Sequence, residues 1–485
     1  MPRRQVAASK RREETMSRIV GRLSRAALAA AALTMGPMLA SAETLSDALI
    51  DAYKNSHLLE QNRAVLRSAD EDVAQALAGL RPVIDFTINA GYGQTNVNPE
   101  TTSSIDTYSR TATAELTAQL TLYDHGRTRL AIDAAKEVVL ATRAGLMGVE
   151  QDILLNTVQA YMDVFASLES VRVAENNVRV LTTALRATRD RFEVGEVTRT
   201  DVSLAESRLA AGRSNLVAAQ GSLATAREAF KLAVGRYPGA LSGLPRLPQI
   251  PKTSDALRDL AVRSHPDILQ AQHNVTASEL NLARAKANYG PTITGSASVS
   301  ASESSSGLIR RDSQDASLGI TLNQRLYAGG GLYAAERQAR AGVQQARAGL
   351  LQNVRLIDQE AGNAWASLAV ARAQIEATAR QVEAAQLAFE GTEEEARLGA
   401  RTTLDVLDAE QELLDARIAR IEAQTSQYKA VYSVLAAAGL MTVKHLGLGI
   451  PTYDPLDYYN AVSNAPAKSI QGRKLDRVLE KIGRN

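Results

Sequence analysis

The carboxylates of GARTTLDVLDAEQ, residues 399–411, are the most chemically suggestive group in the chain. Asp405 and Asp408 stand three apart, so on a helix they share one face and can act together on a cation. General acid–base or metal chemistry needs a partner group, and no evident one stands beside them. The five histidines (His57, His125, His265, His273 and His445) are scattered, and HExxH, GxSxG and P-loop patterns are absent. His265 and His273 could share one helix, where surface polar roles are expected. The sequence therefore points away from an enzyme and calls for no cofactor.

The same phrase occurs earlier. RFEVGEVTRTDVSLAESRL (191–209) lies over EARLGARTTLDVLDAEQEL (395–413), with Gly195/Gly399, Thr198/Thr402, Asp201/Asp405, Val202/Val406, Ala205/Ala409, Glu206/Glu410 and Leu209/Leu413 identical. The echo extends outward: SDAL at 46–49 and 254–257, LY at 122–123 and 326–327, RAGL at 143–146 and 347–350. A period near 204 is too long for a solenoid and marks one duplicated module. The organisation expected is a signal peptide (1–42), a first repeat (43–250), a second repeat (251–440) and a tail (441–485). The proline-dense YPGALSGLPRLPQIP (237–251) forms the joint.

The elements that position the repeated phrase are long helices. No proline lies between Pro99 and Pro238, or between Pro291 and Pro451. Residues 127–192 make 66 positions with only Gly145 and Gly148 as weak points, which predicts about 99 Å of helix. Leu154, Val158, Tyr161, Phe165 and Leu168 step by four and three, and Val171, Ala174, Val178, Leu181, Leu185 and Phe192 continue after one shift. That is the narrow apolar seam of a coiled coil. Gly195 and Gly399 suit a helix end, and Thr198 and Thr402 suit the next helix start. The phrase is therefore read as a helical hairpin tip, where Asp201 also complements the helix dipole.

The other end of each module alternates with period two. Ile84, Phe86, Ile88, Ala90 and Tyr92 interleave with Asp85, Thr87, Asn89, Gly91 and Gly93, and a second run follows over 112–122. Ile293, Ala297 and Val299, then Leu318, Ile320, Leu322 and Leu326, repeat the pattern in the second copy. Four strands of about 9–13 residues are predicted, joined by polar segments 94–110 and 301–315. Four strands cannot close a barrel with a polar lumen, and open edges are not tolerated in lipid. If they span a membrane, several chains must share one barrel.

Composition fits export. Eight Lys/Arg precede the apolar run 26–40, and Ala40, Ser41 and Ala42 form a small-x-small cleavage site, with Met1 or Met16 as the start. Removing residues 1–42 turns the net charge of +2 into −4, so the basicity is targeting and gives no reason to invoke nucleic acid. Cysteine is absent, which excludes disulfides and a lipid-anchored N-terminal Cys. No apolar run after residue 42 approaches the length of a transmembrane helix.

Taken together in order and in duplicate, these features resemble the TolC-type outer-membrane channel family over residues 45–462. The resemblance is carried by SHPDILQAQ (264–272), Pro82 and Pro291 entering strands, LYDHG (122–126) and LYAGG (326–330) leaving them, the tips, and HLGLGIPTYDPLDYYNAV (445–462). It implies a mixed α and β membrane protein: a homotrimer in outer-membrane lipid whose four strands per chain build a twelve-stranded barrel. A long α-helical tunnel continues the barrel across the periplasm. It implies a passive exit duct served by an inner-membrane transporter and a periplasmic adaptor (membrane fusion protein). The YDP tail leans toward the protein-secretion members rather than the lipoprotein drug-efflux branch. The rival reading is a periplasmic coiled-coil adaptor or scaffold, which needs neither membrane-length strands nor a duplication.

The resemblance also assigns the tips. It places Asp405 and Asp408 at the periplasmic mouth, where threefold symmetry would stack them as two rings that hold cations and raise one another's pKa. The first copy has Leu204 where the second has Asp408, which suits an outer, bracing role. The family's latch maps to Thr200 and Asp201, linked to Arg401 and to a tyrosine. That tyrosine is Ala396 here.

Overall fold

The computed structural model describes residues 42–97, 105–306, 309–462 and Arg477. The apolar run of the expected signal and most of the basic tail from residue 463 lie outside these residues. In the first half, α1 (Leu45–Asn55) and α2 (His57–Ala78) lead into β1 (Val83–Val97) and β2 (Ile105–Tyr123), then α3 (Arg127–Glu193) and α4 (Arg199–Val234). The order recurs as α5 (Ser254–Ser264), α6 (Pro266–Ala287), β3 (Thr292–Ser306), β4 (Ile309–Asn323), α7 (Gly331–Arg397) and α8 (Thr403–Ala437). A last helix, α9 (Pro455–Val462), follows.

The two great helices, α3 and α7, have 67 residues each, about 100 Å of helix. Each folds back through a tip onto its partner, α4 or α8, and α8 also packs on α3, which joins the two halves. Among the described residues no helix is long and apolar enough to cross a membrane.

The strands form one antiparallel sheet in the order β1-β2-β3-β4. Period two and the register sort the side chains by face. Phe86, Leu116, Val299 and Ala316 form one transverse row, and Asp85, Thr117, Ser298 and Ser317 form the row on the opposite face. The polar face is hydrogen-bonded across strands, with Ser298 Oγ 2.8 Å from Ser317 Oγ and Ser302 Oγ 2.8 Å from Ser313 Oγ. The apolar face is bare within one chain: Phe86 is 66% and Leu318 88% exposed. The apolar rows run from Ile293 and Leu322 to Ile88 and Ala301, about 27 Å along the strand, close to a barrel's apolar band.

Two strand expectations need correction. The strands have 15, 19, 15 and 15 residues, longer than expected, because pairing continues into the polar segments after apolar alternation ends. There Asn96 Nδ2 donates to Asp106 Oδ1 at 2.6 Å, and Arg310 pairs with Glu303 at 2.5 Å. Conversely, β4 ends at Asn323, so Arg325 and Leu326 lie in the turn toward α7 rather than in the strand.

The main core lies where the short helices meet α3, α4 and the end of α8. Leu45, Leu49, Leu154, Val158, Tyr161, Met162, Phe230 and Leu435 pack there. Tyr161 donates its hydroxyl toward the carbonyls of Glu43 and Ser242, each at 3.1 Å, and its ring meets Phe230 at 6.5 Å between centroids. The second half repeats this core with Leu257, Ile268, Leu368, Val431 and Val434, and Trp365 packs at the position equivalent to Tyr161. The joint 237–251 packs onto these cores: Ala240 O accepts from Glu43 N at 2.7 Å, and Pro245 O accepts from Tyr428 Oη at 2.6 Å.

The buried seam of α3 ends at Thr188, and Phe192, which the sequence pattern placed in the seam, is exposed. His265 is buried rather than a surface residue. It caps α6, its Nδ1 accepting from Asp267 N at 3.3 Å, with Pro266 as the first helical residue. His273 Nδ1 lies 2.8 Å from Glu137 Oε2.

Phe230 of α4 is fully buried against Tyr161 of α3, the tyrosine that fixes the joint. Phe230→Ala is expected to destabilise the fold by about 3–5 kcal/mol, seen as a lower thermal midpoint in circular dichroism of detergent-solubilised protein.

Candidate functional site

Local hydrogen bonding explains why the tip phrase is written as it is. At the end of α3, Gly195 takes φ +83, its N donates to Phe192 O at 3.0 Å, and Glu196 N donates to Arg191 O at 2.9 Å. At the end of α7, Gly399 takes φ +79, its N donates to Ala396 O at 3.1 Å, and Ala400 N donates to Glu395 O at 2.9 Å. Both ends are glycine-terminated Schellman motifs, where a left-handed residue lets the chain reverse while the last carbonyls stay paired.

Three residues on, the return helix starts with a capping box. Asp201 N donates to Thr198 Oγ1 at 3.3 Å, and Thr198 N donates to Asp201 Oδ2 at 2.8 Å. Asp405 N donates to Thr402 Oγ1 at 3.3 Å, and Thr402 N donates to Asp405 Oδ2 at 2.9 Å. Gly-x-x-Thr-x-x-Asp is thus a stop signal followed by a start signal. Hydrogen bonds from Thr198 hold the Asp201 carboxyl below the usual carboxylate range, and those from Thr402, with Arg401 nearby, do the same for Asp405. Within one chain this is opposite to the rise expected from stacked rings, because the cap acts on Asp405 before any neighbouring copy does.

The latch candidates are not brought together within the chain. Thr200 is exposed in the first turn of α4, Asp201 is engaged by Thr198, and Arg401 Nε donates to Glu395 Oε2 at 2.9 Å on its own hairpin. Ala396 stands in the wall of a groove of about 290 Å³ between α3, α7 and α8, beside Ala184, Thr188 and Leu407.

Other contacts tie the hairpins together here. Arg208 Nη2 on α4 donates to Asp408 Oδ1 on α8 at 2.5 Å. Between the two aspartates, Leu407 is buried against Leu181, Leu185, Ala205 and Leu209 of the first half. Deeper along the seam, Glu410 is buried, and Asn177 Nδ2 donates to its two oxygens at 2.6 and 2.7 Å. Burial pushes the Glu410 carboxyl up, against the pull of Asn177. Sequence reasoning did not single out Arg208 or Asn177, and it counted Glu410 only as an identity with Glu206. The copies differ in environment: Glu206 is exposed and pairs with Arg189 at 2.5 Å. The available signal was the substitution of Leu204 by Asp408 at an otherwise repeated site.

The profile of outer membrane efflux proteins matches residues 48–236 and 257–440, one stretch in each half. The chain belongs to the outer membrane efflux protein family. As a member of this family it resides in the outer membrane. It is similar to the outer membrane efflux protein BepC of Brucella suis, 35% identical over 90% of this chain and 95% of that one. It is also similar to the proteases secretion protein PrtF of Dickeya chrysanthemi, 26% identical over 81% of this chain and 88% of that one. The fold is that of the Campylobacter jejuni CmeC outer membrane channel, with a TM-score of 0.73 at 17% identity, covering 87% of this chain and 89% of that chain.

Removing the cap hydroxyl should weaken the tip and release part of the hold on the acid, since the backbone N–H of residue 402 still reaches Asp405 Oδ2. Thr402→Ala is expected to cost about 1 kcal/mol of local stability. It should also raise the Asp405 pKa toward its ordinary value of 3.8, read by NMR titration of the carboxyl. Because the folded-state pKa is depressed, the cap's contribution is present above pH 3.8 and fades as pH falls through the lower folded value.

Proposed function

We propose that the chain is the trimeric exit duct of a tripartite export system, passing secreted proteins or small toxic compounds from an inner-membrane pump through a periplasmic adaptor to the outside. The observation that carries this reading is the four-stranded sheet with one bare apolar face and two open edges, β1 and β4. In hydrocarbon those edges need partners, and further copies of the same sheet supply them. Three copies give twelve strands around a polar lumen, with residues 1–42 removed on export. A periplasmic scaffold would have no use for the bare face.

The gate reading rests on the tips. Asp405 and Asp408 of the second half narrow the periplasmic mouth as two carboxylate rings, and Thr200, Asp201 and Arg401 link neighbouring copies. With alanine at position 396, the link inside each copy passes to Arg208–Asp408 and Asn177–Glu410, which fasten α8 to α4 and α3. Asp408 then has two roles, cation ring and latch.

Two variants separate these roles in planar bilayers. Asp405→Ala with Asp408→Ala is expected to raise single-channel conductance and weaken divalent-cation block from the periplasmic side. Arg208→Ala removes one of the two latch contacts, leaves Asn177–Glu410 and keeps the acids, so conductance should rise while block persists. Unchanged conductance in both variants would sink the gate and leave the channel intact. No conductance from folded wild-type protein would sink the channel and favour the scaffold.

A further inference from the structure

After α8 the chain crosses back to the first half, and residues 443–462 lie across α2 and α3. Val443 N donates to Glu150 Oε1 at 2.8 Å, and Tyr453 N to Tyr53 Oη at 3.3 Å. The Arg63 guanidinium sits between the rings of Tyr53 and Tyr453, at 5.4 and 5.2 Å from their centroids. Tyr458 Oη donates to Glu71 Oε1 at 2.8 Å. Arg143 of α3 lies 5.2 Å from the Tyr459 ring centroid, and its Nη2 donates to Pro455 O at 3.5 Å. Tyr453 and Tyr459 close over the apolar cluster of Leu66, Ala69, Val73 and Val139.

Beneath this strap is a carboxylate in the wrong place for a charge. Asp70 of α2 has a side chain with no exposed surface, and among the described residues neither of its oxygens has a hydrogen bond. Its nearest cation is Arg143, with Nη2 3.9 Å from Oδ1, and that same Nη2 serves the strap at Pro455. The other charged or titratable groups in this nest are Tyr53 on α1, Glu60, Arg63, Arg67 and Glu71 on α2, Glu150 on α3, and Tyr453, Tyr458 and Tyr459 on the strap. A buried carboxylate without hydrogen bonds is costly when ionised and cheap when protonated.

We propose that residues 453–462 form a proton-sensitive clasp, in which the strap and the Asp70 carboxylate compete for Arg143. With Asp70 protonated, Arg143 belongs to Pro455 and Tyr459, and the strap is seated. With Asp70 ionised, the carboxylate draws Arg143 or admits water, and the strap loosens. Burial, partly offset by Arg143, pushes the Asp70 carboxyl up to about 6 from 3.8, which agrees with this competition. For an acid whose pKa is raised in the seated state, seating is strongest below pH 3.8 and weakens as pH rises to about 6. The clasp tightens in acid. It rests on neither the barrel nor the gate reading.

The test is hydrogen exchange of the full chain in detergent at pH 4.5 and 7.5, corrected for intrinsic exchange, on peptides spanning 449–462. Strap protection is expected to fall roughly ten-fold at the higher pH, while peptides from α3 hold theirs. Asp70→Asn, which keeps shape and removes the charge, should make strap protection independent of pH. Wild-type strap protection that does not change between the two pH values overturns the clasp by itself. So does an Asp70→Asn variant that keeps the wild-type pH dependence.

Discussion

Backbone amides and carbonyls that leave water must find partners in the protein, and in a membrane they have no alternative. The sheet meets this need along β2 and β3 and leaves it open along the outer edges of β1 and β4. The bare apolar face adds a second demand, since rows such as Phe86–Leu116–Val299–Ala316 have nothing to pack on within the chain. The polar face stays in water through its serines and threonines. Both demands concern the strands, yet the helices are tied to them. Strands β2 and β4 lead through short turns into α3 and α7, so the sheet and the two long helices are covalently continuous.

Those helices are held by side contacts rather than by a single globular core. Their length follows from the proline gap, and their pairing from seams that meet α4 and α8. The two halves then use one plan for different ends. Tyr161 holds the carbonyls of Glu43 and Ser242, while Trp365 at the matching place packs against the second core. Glu206 faces solvent, and Glu410 is buried against Asn177. Duplication supplied two equivalent hairpins, and burying one against the other made them inequivalent.

The tip shows how one residue can satisfy a local and a wider requirement together. Asp405 completes a capping box, as Asp201 does in the first half, so an acid at this place needs no functional reason. Asp408 is different. It has no role in the cap, replaces a leucine, and takes its partner from the other half of the chain. The same reasoning separates Arg143 and Asp70 from the ordinary ion pairs of the helix surfaces. Those pairs are exposed, whereas Asp70 is sealed beneath the strap.

Much of this architecture was legible in the sequence because it is built from local periodicity. Proline-free stretches become helices wherever nothing interrupts them, period-two alternation becomes a two-faced strand, and Gly-x-x-Thr-x-x-Asp is a stop and a start written in backbone hydrogen bonds. Strand ends were less legible, since pairing depends on the neighbouring strand and continues after the apolar pattern ceases. The pairings of Arg208 with Asp408 and of Asn177 with Glu410, and the place of Asp70 beneath the tail, were not legible, although the change from Leu204 to Asp408 between the copies marked one of the positions. These partners stand 200, 233 and nearly 400 residues apart, and no local pattern links them. The sequence by itself determined the elements and their faces, because each depends on neighbours a few residues away, and their duplication, because the repeat is written in the residues themselves. Only the tertiary structure decided which carboxylates are capped, paired or buried, because burial and pairing depend on which distant segments the folded chain brings together.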